Sequence, residues 1–191
     1  MNLCLYGASS DRIDAAYLQA VEELGAKLAA RGHGMVFGGG AQGLMGAAAR
    51  GVSGRQGYIL GVAPSFFNVD GVLYPHCTEF IYTETMRQRK QIMEDNADAF
   101  IVVPGGIGTF EEFFEILTLK QLCRHNKPIA LYDVMGYYKE LGVMMEQAME
   151  KNFVKKNCVE LYKTTTDLQE LLAYIETPVQ DAHSVKELKD G

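Results

Sequence analysis

Residues 104–109 (PGGIGT) combine the residue types and spacing that bind a phosphate group. Glycines lack a Cβ, so backbone N–H groups can crowd around an anion. The segment follows an apolar stretch and precedes a helix predicted over 109–123, whose first N–H groups and dipole also favour negative charge. It is neither a Walker A loop, because no Lys-Ser/Thr pair follows, nor the dinucleotide pattern GxGxxG. It therefore predicts a site for one compact phosphate group.

Glu112, three residues after Thr109, has two possible roles. Thr109-x-x-Glu112 has the form of a capping box, in which the threonine caps the helix and the glutamate reaches back to the cap. Alternatively, Glu112 is a functional carboxylate beside the phosphate site. The local sequence favours the cap, and both roles stay open at this point.

The helix predicted over 109–123 is apolar on two sides. One stripe, predicted to pack on the sheet, consists of Phe110, Phe113, Phe114 and Leu117. The opposite line consists of Glu112, Ile116, Leu119 and Cys123. We infer that this second side packs against another surface, most simply a second subunit. Glu112 would then lie at the edge of a buried zone, where a carboxylate pKa rises towards the range useful for general acid–base catalysis.

A basic cluster, Arg87, Arg89 and Lys90, begins a second helix predicted over 86–96. Cations near a helix N-terminus oppose the helix dipole, at about a few tenths of a kcal/mol each. An ordinary basic helix start is one interpretation. The other is that an anion or a carboxylate lies opposite, and arginine can bind either group through two hydrogen bonds.

Strand-like and helix-like stretches alternate along the whole chain and must position these residues. Strands are predicted over 3–7, 35–37, 58–62, 98–103 and 128–132, with an edge strand over 159–162. Helices are predicted over 15–31, 43–53, 86–96, 109–123, 137–151 and 166–176, whereas 63–85 shows no regular pattern. The pattern predicts the α/β class: a single doubly wound Rossmann-like domain over 1–176, with a mostly parallel sheet covered by helices on both faces. A polar C-terminal tail over 177–191 follows.

Glycine-rich turns follow three of the predicted strands. They contain Gly7, the run 38–40, and the glycines of residues 104–109. In doubly wound folds, ligands bind beyond the carboxyl ends of the strands. We therefore expect the three turns to form one pocket for a phosphate-bearing ligand.

Two motifs together make the chain resemble the LOG ("Lonely guy") family. They are Met86-x-x-Arg89-Lys90 and PGGxGTxxE, which runs from Pro104 to Glu112. YGASS at 6–10 and GGGAQGLMG at 38–46 add to the resemblance, which covers roughly residues 1–175. Members are cytokinin riboside 5′-monophosphate phosphoribohydrolases, often named as lysine decarboxylases.

The resemblance implies hydrolysis of the N-glycosidic bond of a nucleoside 5′-monophosphate such as AMP, giving free base and ribose 5-phosphate. It implies that Arg89 and Glu112 are the catalytic pair. Our hypothesis is that Glu112 stabilises an oxocarbenium-like transition state and activates water, while Arg89 holds Glu112 or the nucleotide in place. It implies a wider set of substrate-binding residues: Ser9, Gly43, Met86, Lys90, Gly105, Gly106, Ile107, Gly108, Thr109, Phe110, Glu111 and Thr118. We expect no metal and no cofactor.

The chain departs from the family in two places. Plant members carry histidine after the methionine of the first motif, where this chain has Arg87. Residues 63–85 also differ, so base recognition does not carry over, and Asp70 is only a candidate for the family's acidic ribose contact. The family is homodimeric with its ligand near the subunit interface, which agrees with the two-sided helix.

Composition excludes several other classes of protein. The 191 residues include 18 Lys and Arg against 24 Asp and Glu, a net charge of −6, which disfavours binding to a nucleic-acid polymer. No apolar run approaches the roughly 20 residues that span a membrane, and the start lacks the basic region of a signal peptide. The four cysteines are widely spaced and fit no zinc site, as expected for free thiols in a reducing compartment. We therefore expect a cytoplasmic protein.

Two other functions are alternatives to hydrolysis. A non-catalytic nucleotide or cofactor carrier, or a sensor, can share the same fold. It would need the phosphate site but not Arg89 and Glu112, so this pair favours the enzyme. A pyridoxal-phosphate lysine decarboxylase would need a lysine that forms a Schiff base, and no lysine lies in such a context.

Overall fold

The computed structural model describes residues 1–178, so all but the first two residues of the predicted tail lie outside the described residues. Within that range, seven parallel strands form one sheet in the order β4-β3-β2-β1-β5-β6-β7. They are β1 (Asn2–Tyr6), β2 (Gly34–Phe37), β3 (Ile59–Pro64), β4 (Glu79–Thr83), β5 (Ala99–Val102), β6 (Ile129–Tyr132) and β7 (Lys163–Thr165). The predicted α/β class and parallel sheet are confirmed.

The helices that connect the strands cover both faces of the sheet. They are α1 (Ala15–Ala30), α2 (Gly43–Ser53), α3 (Met86–Asp95), α4 (Ile107–Gln121), α5 (Lys139–Glu150) and α6 (Leu168–Glu176), with 3-10 turns at Ser65–Phe67, Val134–Gly136 and Lys156–Leu161. Across residues 1–178, none of the helices combines the length and the apolar character needed to cross a membrane.

Each face of the sheet has its own apolar cluster. One cluster buries side chains of α1, α2 and α6, such as Val21, Leu44 and Leu172. The other buries side chains of α3 and α4, such as Met93 and Phe113. Strands buried on both faces are apolar throughout, which is why their sequences lack alternation.

The order in which strands are added to the sheet reverses beside β1. The chain proceeds outward from β1 to β4 and then returns to place β5 against the other edge of β1. Such a switch point leaves a crevice at the carboxyl ends of the two central strands. The turns after β1 and β5 are joined there by a hydrogen bond of 3.0 Å, which the Ala8 N–H donates to the Pro104 carbonyl.

Two parts of the predicted element order are wrong. The stretch 63–85 contains a strand, β4, which pairs with β3 at the edge of the sheet. Its apolar run is only three residues long, Phe80 to Tyr82, and its edge position leaves Glu79 and Tyr82 exposed. The strand predicted over 159–162 is displaced to Lys163–Thr165, because a 3-10 helix buries Cys158 and Leu161 first.

Candidate active site

A cleft of about 770 Å³ opens at the switch point of the sheet. Its walls include Gly7 after β1, Gly38 and Gly40 after β2, and Gly106 and Gly108 at the start of α4. The three glycine-rich turns therefore meet in one pocket, as predicted. Met86 and Arg89, from the start of α3, also line the cleft.

The N-terminus of α4 faces this cleft without a side-chain cap. Gly106 is the cap residue, no side chain hydrogen-bonds to the helix end, and the first turn carries no acidic residue. The first four N–H groups of a helix have no intrahelical partner, so those at Gly106, Ile107, Gly108 and Thr109 can bind a ligand anion. The capping box predicted at Thr109 is wrong, because Thr109 lies inside the first turn.

Arg89 and Glu112 form a buried ion pair that joins α3 to α4. The Arg89 Nη1 lies 2.8 Å from the Glu112 Oε1, and the two side chains are only 8% and 11% exposed. The Arg89 Nε also donates to the Val62 carbonyl at 3.3 Å. Glycine is required at position 38, because a Cβ there would lie 2.0 Å from the Arg89 Nη2.

Burial raises the pKa of the Glu112 carboxyl, and the charge and hydrogen bond of Arg89 oppose that increase. The carboxylate lies above the sheet near Tyr6 and Cys4 of β1. Burial raises the pKa of Cys4 to about 12 and that of Tyr6 well above its usual value, with a further contribution from the Glu112 charge. Glu112 therefore has neutral groups near it, and Arg89 is the cation that acts on it most strongly, ahead of Lys90.

The basic start of α3 has carboxylates opposite it, as one interpretation of the sequence predicted. Besides the pair described above, the Lys90 Nζ lies 2.5 Å from the Glu111 Oε1 and 2.8 Å from the Glu115 Oε2. The α3 helix does have a capping box, formed by Thr85 and Gln88. Arg87 is exposed and does not line the cleft.

The apolar second side of α4 is buried largely by the chain itself. Ile116 is 2% exposed and lies in the same cluster as Phe113 and Leu117. Leu119 and Cys123 are half-buried. Ile116 therefore packs against the chain itself, and the second subunit inferred for this side of α4 stays a prediction.

Comparisons with known proteins agree with this geometry. Over residues 45–175 the chain matches the protein family described as "Possible lysine decarboxylase". It is 35% identical over 187 residues to the probable cytokinin riboside 5′-monophosphate phosphoribohydrolase LOGL5 of Oryza sativa subsp. japonica, a match that covers 98% of this chain and 76% of the relative. The chain belongs to the LOG family. Cytokinin riboside 5′-monophosphate phosphoribohydrolase LOG2 of Arabidopsis thaliana is 34% identical over 174 residues, covering 91% and 82% of the two chains.

The fold is also found in solved structures of more distant proteins. The molybdenum cofactor carrier protein of Chlamydomonas reinhardtii superposes with a TM-score of 0.70 at 20% identity, covering 92% of this chain and 96% of that chain. At such low identity, the likeness shows a shared fold and nothing about the ligand.

The cleft brings together some of the residues assigned from the LOG resemblance but not all of them. Those that line it are Ser9, Met86, Arg89, Gly106, Ile107, Gly108, Thr109 and Glu112, together with the ribose candidate Asp70. Those outside its lining are Gly43, Lys90, Gly105, Phe110, Glu111 and Thr118.

Local contacts explain several of the positions outside the lining. The Gly43 N–H donates to the Asp11 carboxylate at 2.7 Å, so its donor is already used within the protein. Lys90 and Glu111 are paired on the outer side of α3 and α4. Thr118 is exposed, about three turns beyond the start of α4.

An apolar wall of the cleft escaped the sequence analysis. Phe67, Val72 and Leu73 line the cleft. Their segment is held against the turn after β2 by two backbone hydrogen bonds: Ala41 N–H to the Val72 carbonyl at 2.9 Å, and Tyr74 N–H to the Gly39 carbonyl at 2.8 Å. The only available signal was a group of apolar residues in a stretch without periodicity.

Among the described residues, neither a cluster of metal-ligating side chains nor a lysine in the cleft lining is found. In the part of the chain that the structure describes, no three His, Cys, Asp or Glu side chains are grouped to hold a metal ion. The residues that line the cleft include no lysine among those described, so a Schiff base has no donor there.

Proposed function

We propose that this LOG-family protein hydrolyses the N-glycosidic bond of a nucleoside 5′-monophosphate, releasing the free base and ribose 5-phosphate. One observation carries the proposal: a buried Arg89–Glu112 pair and an uncapped helix N-terminus face the same cleft. The pair supplies a carboxylate for chemistry at a sugar carbon, and the helix end supplies the site for a phosphate group.

The 5′-phosphate binds the backbone N–H groups at the start of α4. Gly106 and Gly108 allow the phosphate to approach the backbone closely, and the helix dipole favours its charge. Glu112 lies four residues after Gly108 on the same helix, a separation of about one turn, or roughly 6 Å along the axis. This spacing suits a ribose ring with its phosphate at the helix end and its C1′ beside Glu112.

The reacting group is the ionised carboxylate of Glu112. Cleavage at C1′ develops positive charge on the sugar, which a carboxylate stabilises, and the same group accepts a proton from the attacking water. Arg89 holds this carboxylate in one orientation and favours its charged form. The raised pKa of Glu112 makes it a stronger base than an exposed glutamate.

The base occupies the apolar end of the cleft. Phe67, Val72 and Leu73 provide a surface on which a purine and an apolar substituent can pack. Asp70, in the same segment, is placed to accept hydrogen bonds from the ribose hydroxyls. The substrate is accordingly a cytokinin riboside 5′-monophosphate, as in the names of the relatives, or AMP.

A carrier or sensor is the alternative function on this fold. A carrier must hold its ligand, but it does not need a carboxylate beside an arginine in a buried pair. Burying such a pair carries a desolvation cost, which a catalytic role explains. The Arg89–Glu112 pair therefore favours turnover over carriage.

We further propose a cytoplasmic homodimer with the site near its interface. Several apolar side chains of the segments around the cleft are exposed, including Ile107 at 88%, Phe66 at 59% and Val69 at 59%. Exposed apolar groups of this kind favour association. Size-exclusion chromatography with light scattering should give twice the mass of the 21.1 kDa chain; a monomer at micromolar concentration would contradict the dimer.

A chromatographic product assay tests the proposed reaction. The protein is incubated with AMP, N6-isopentenyladenosine 5′-monophosphate and adenosine, and the free base and ribose 5-phosphate are quantified. We expect release of base from at least one of the monophosphates, in equal amounts with ribose 5-phosphate, and far less from adenosine, which lacks the phosphate. Intact monophosphates, from protein that binds them, would instead indicate a carrier.

A further inference from the structure

Three successive carbonyl groups between β5 and α4 each accept a hydrogen bond from another part of the protein. The Tyr138 hydroxyl donates to the Val103 carbonyl at 2.7 Å. The Ala8 N–H donates to the Pro104 carbonyl at 3.0 Å, and the Tyr137 hydroxyl donates to the Gly105 carbonyl at 2.5 Å. The turn before the phosphate site is therefore held by hydrogen bonds from other segments at three consecutive carbonyl groups.

The bond to Gly105 has a direct consequence for the cleft. A trans peptide unit is planar, with its C=O and N–H groups on opposite sides. Anchoring the Gly105 carbonyl therefore also fixes the direction of the Gly106 N–H, which belongs to the same peptide unit. Gly106 lines the cleft. Gly105, whose carbonyl accepts the hydrogen bond from the Tyr137 hydroxyl, does not line it.

The two tyrosines are themselves held in place by the turn after β6. The Tyr138 N–H donates to the Asp133 carboxylate at 2.6 Å, and Met135 and Gly136 have φ angles of 57° and 73° that reverse the chain. The adjacent rings are nearly perpendicular, at 86°, so their hydroxyls reach different carbonyls. The Tyr137 ring also packs edge-on against Tyr17 of α1, with centroids 6.3 Å apart.

We propose that Tyr137 is a positioning residue for phosphate recognition, acting through the Gly105–Gly106 peptide unit. The inference rests on the proposed function, because it assumes that the start of α4 binds the 5′-phosphate. A hydroxyl that donates to a peptide carbonyl also polarises that peptide and makes its N–H a stronger donor. Tyr137 therefore improves both the direction and the strength of the Gly106 N–H without touching the ligand.

The test is the Tyr137→Phe variant, which removes the hydroxyl and keeps the ring. Dissociation constants are measured by calorimetry for ribose 5-phosphate and AMP, which carry the phosphate, and for adenosine, which does not. We expect binding of the two phosphate ligands to weaken by about threefold to tenfold, the effect of one hydrogen bond. Adenosine binding should stay the same, and in turnover KM for the monophosphate should rise with kcat within about twofold.

Tyr17→Phe is the matched control, because it removes a hydroxyl from the ring that packs edge-on against Tyr137, whereas the hydrogen bond to the Gly105 carbonyl comes from Tyr137 itself. It should leave all three dissociation constants unchanged. Unchanged ribose 5-phosphate binding in Tyr137→Phe, with a functional wild type, would overturn this inference alone. Equal weakening of adenosine would show a merely structural role and would also overturn it. Wild-type protein that binds neither phosphate ligand would overturn the proposed function as well.

Discussion

Replacing Gly38 by alanine should separate the Arg89–Glu112 pair without altering either residue. A Cβ at position 38 would lie 2.0 Å from the Arg89 Nη2 and 3.0 Å from its Cζ. The guanidinium must move by about 1.4 Å to regain an ordinary contact near 3.4 Å. It cannot do so freely, because it is bonded to both Glu112 and the Val62 carbonyl.

The expected loss follows from that displacement. A misplacement of about 1 Å in a catalytic arrangement lowers the rate by about 100-fold, equivalent to about 2.7 kcal/mol. We expect kcat/KM of Gly38→Ala to fall by about that factor. The free energy of unfolding should fall by about 1–3 kcal/mol, since a hydrogen bond to a charged group is weakened.

Steady-state release of ribose 5-phosphate and urea unfolding measure the two effects. Gly142→Ala is the control, because position 142 lies on α5 with no heavy atom within 4 Å of the added Cβ. It should keep full activity and gain about 0.5–1 kcal/mol from better helix propensity. Wild-type kcat/KM in a folded Gly38→Ala protein would refute the role assigned to the Arg89 geometry.

Two further predictions concern titratable groups. Because burial raises the pKa of Glu112 in the free protein and its ionised form reacts, kcat/KM should decline as the pH falls through a value above the ordinary glutamate pKa of 4.5; an acid limb at or below 4.5 in the pH profile would contradict this. Burial also lowers the pKa of Lys120 to about 8, so the charged amine destabilises the fold at neutral pH. Lys120→Met should therefore raise the free energy of unfolding at pH 7 by about 1–3 kcal/mol, and the gain should shrink as the pH rises from 8 towards 10.5. The exposed Lys139→Met control should show no such gain in urea unfolding, and an equal gain in both variants would contradict the assignment.

The parts of the fold that the sequence predicted are those with strong local signals. Continuous apolar runs identified the buried strands β1 and β5, and helical periodicity identified α1 and α4. Edge strand β4 was missed because its apolar run, Phe80 to Tyr82, is short and lies in a stretch without periodicity. Chain position in a sheet is a tertiary property, which a local pattern does not contain.

Part of the candidate site could be predicted because a residue type was unfavourable in its local structure. Arginine at a helix N-terminus opposes the dipole, and its partner proved to be Glu112, on a different helix. The capping box at Thr109 was wrong because α4 begins two residues earlier, with Gly106 as its cap residue, and Glu112 pairs with Arg89 instead. The apolar wall at Phe67 and Val72 was not predictable, because backbone bonds to the turn after β2 place it.

The most direct test of the account compares the wild type with Glu112→Gln for both AMP binding and turnover. Glutamine keeps the size of the side chain and an oxygen that can accept from Arg89, so the fold and the phosphate site should persist. We expect the dissociation constant for AMP to stay within about threefold, while single-turnover release of base falls by at least about 100-fold, as for loss of a general base. Near-wild-type release of base by Glu112→Gln would contradict the central claim that this carboxylate performs the reaction.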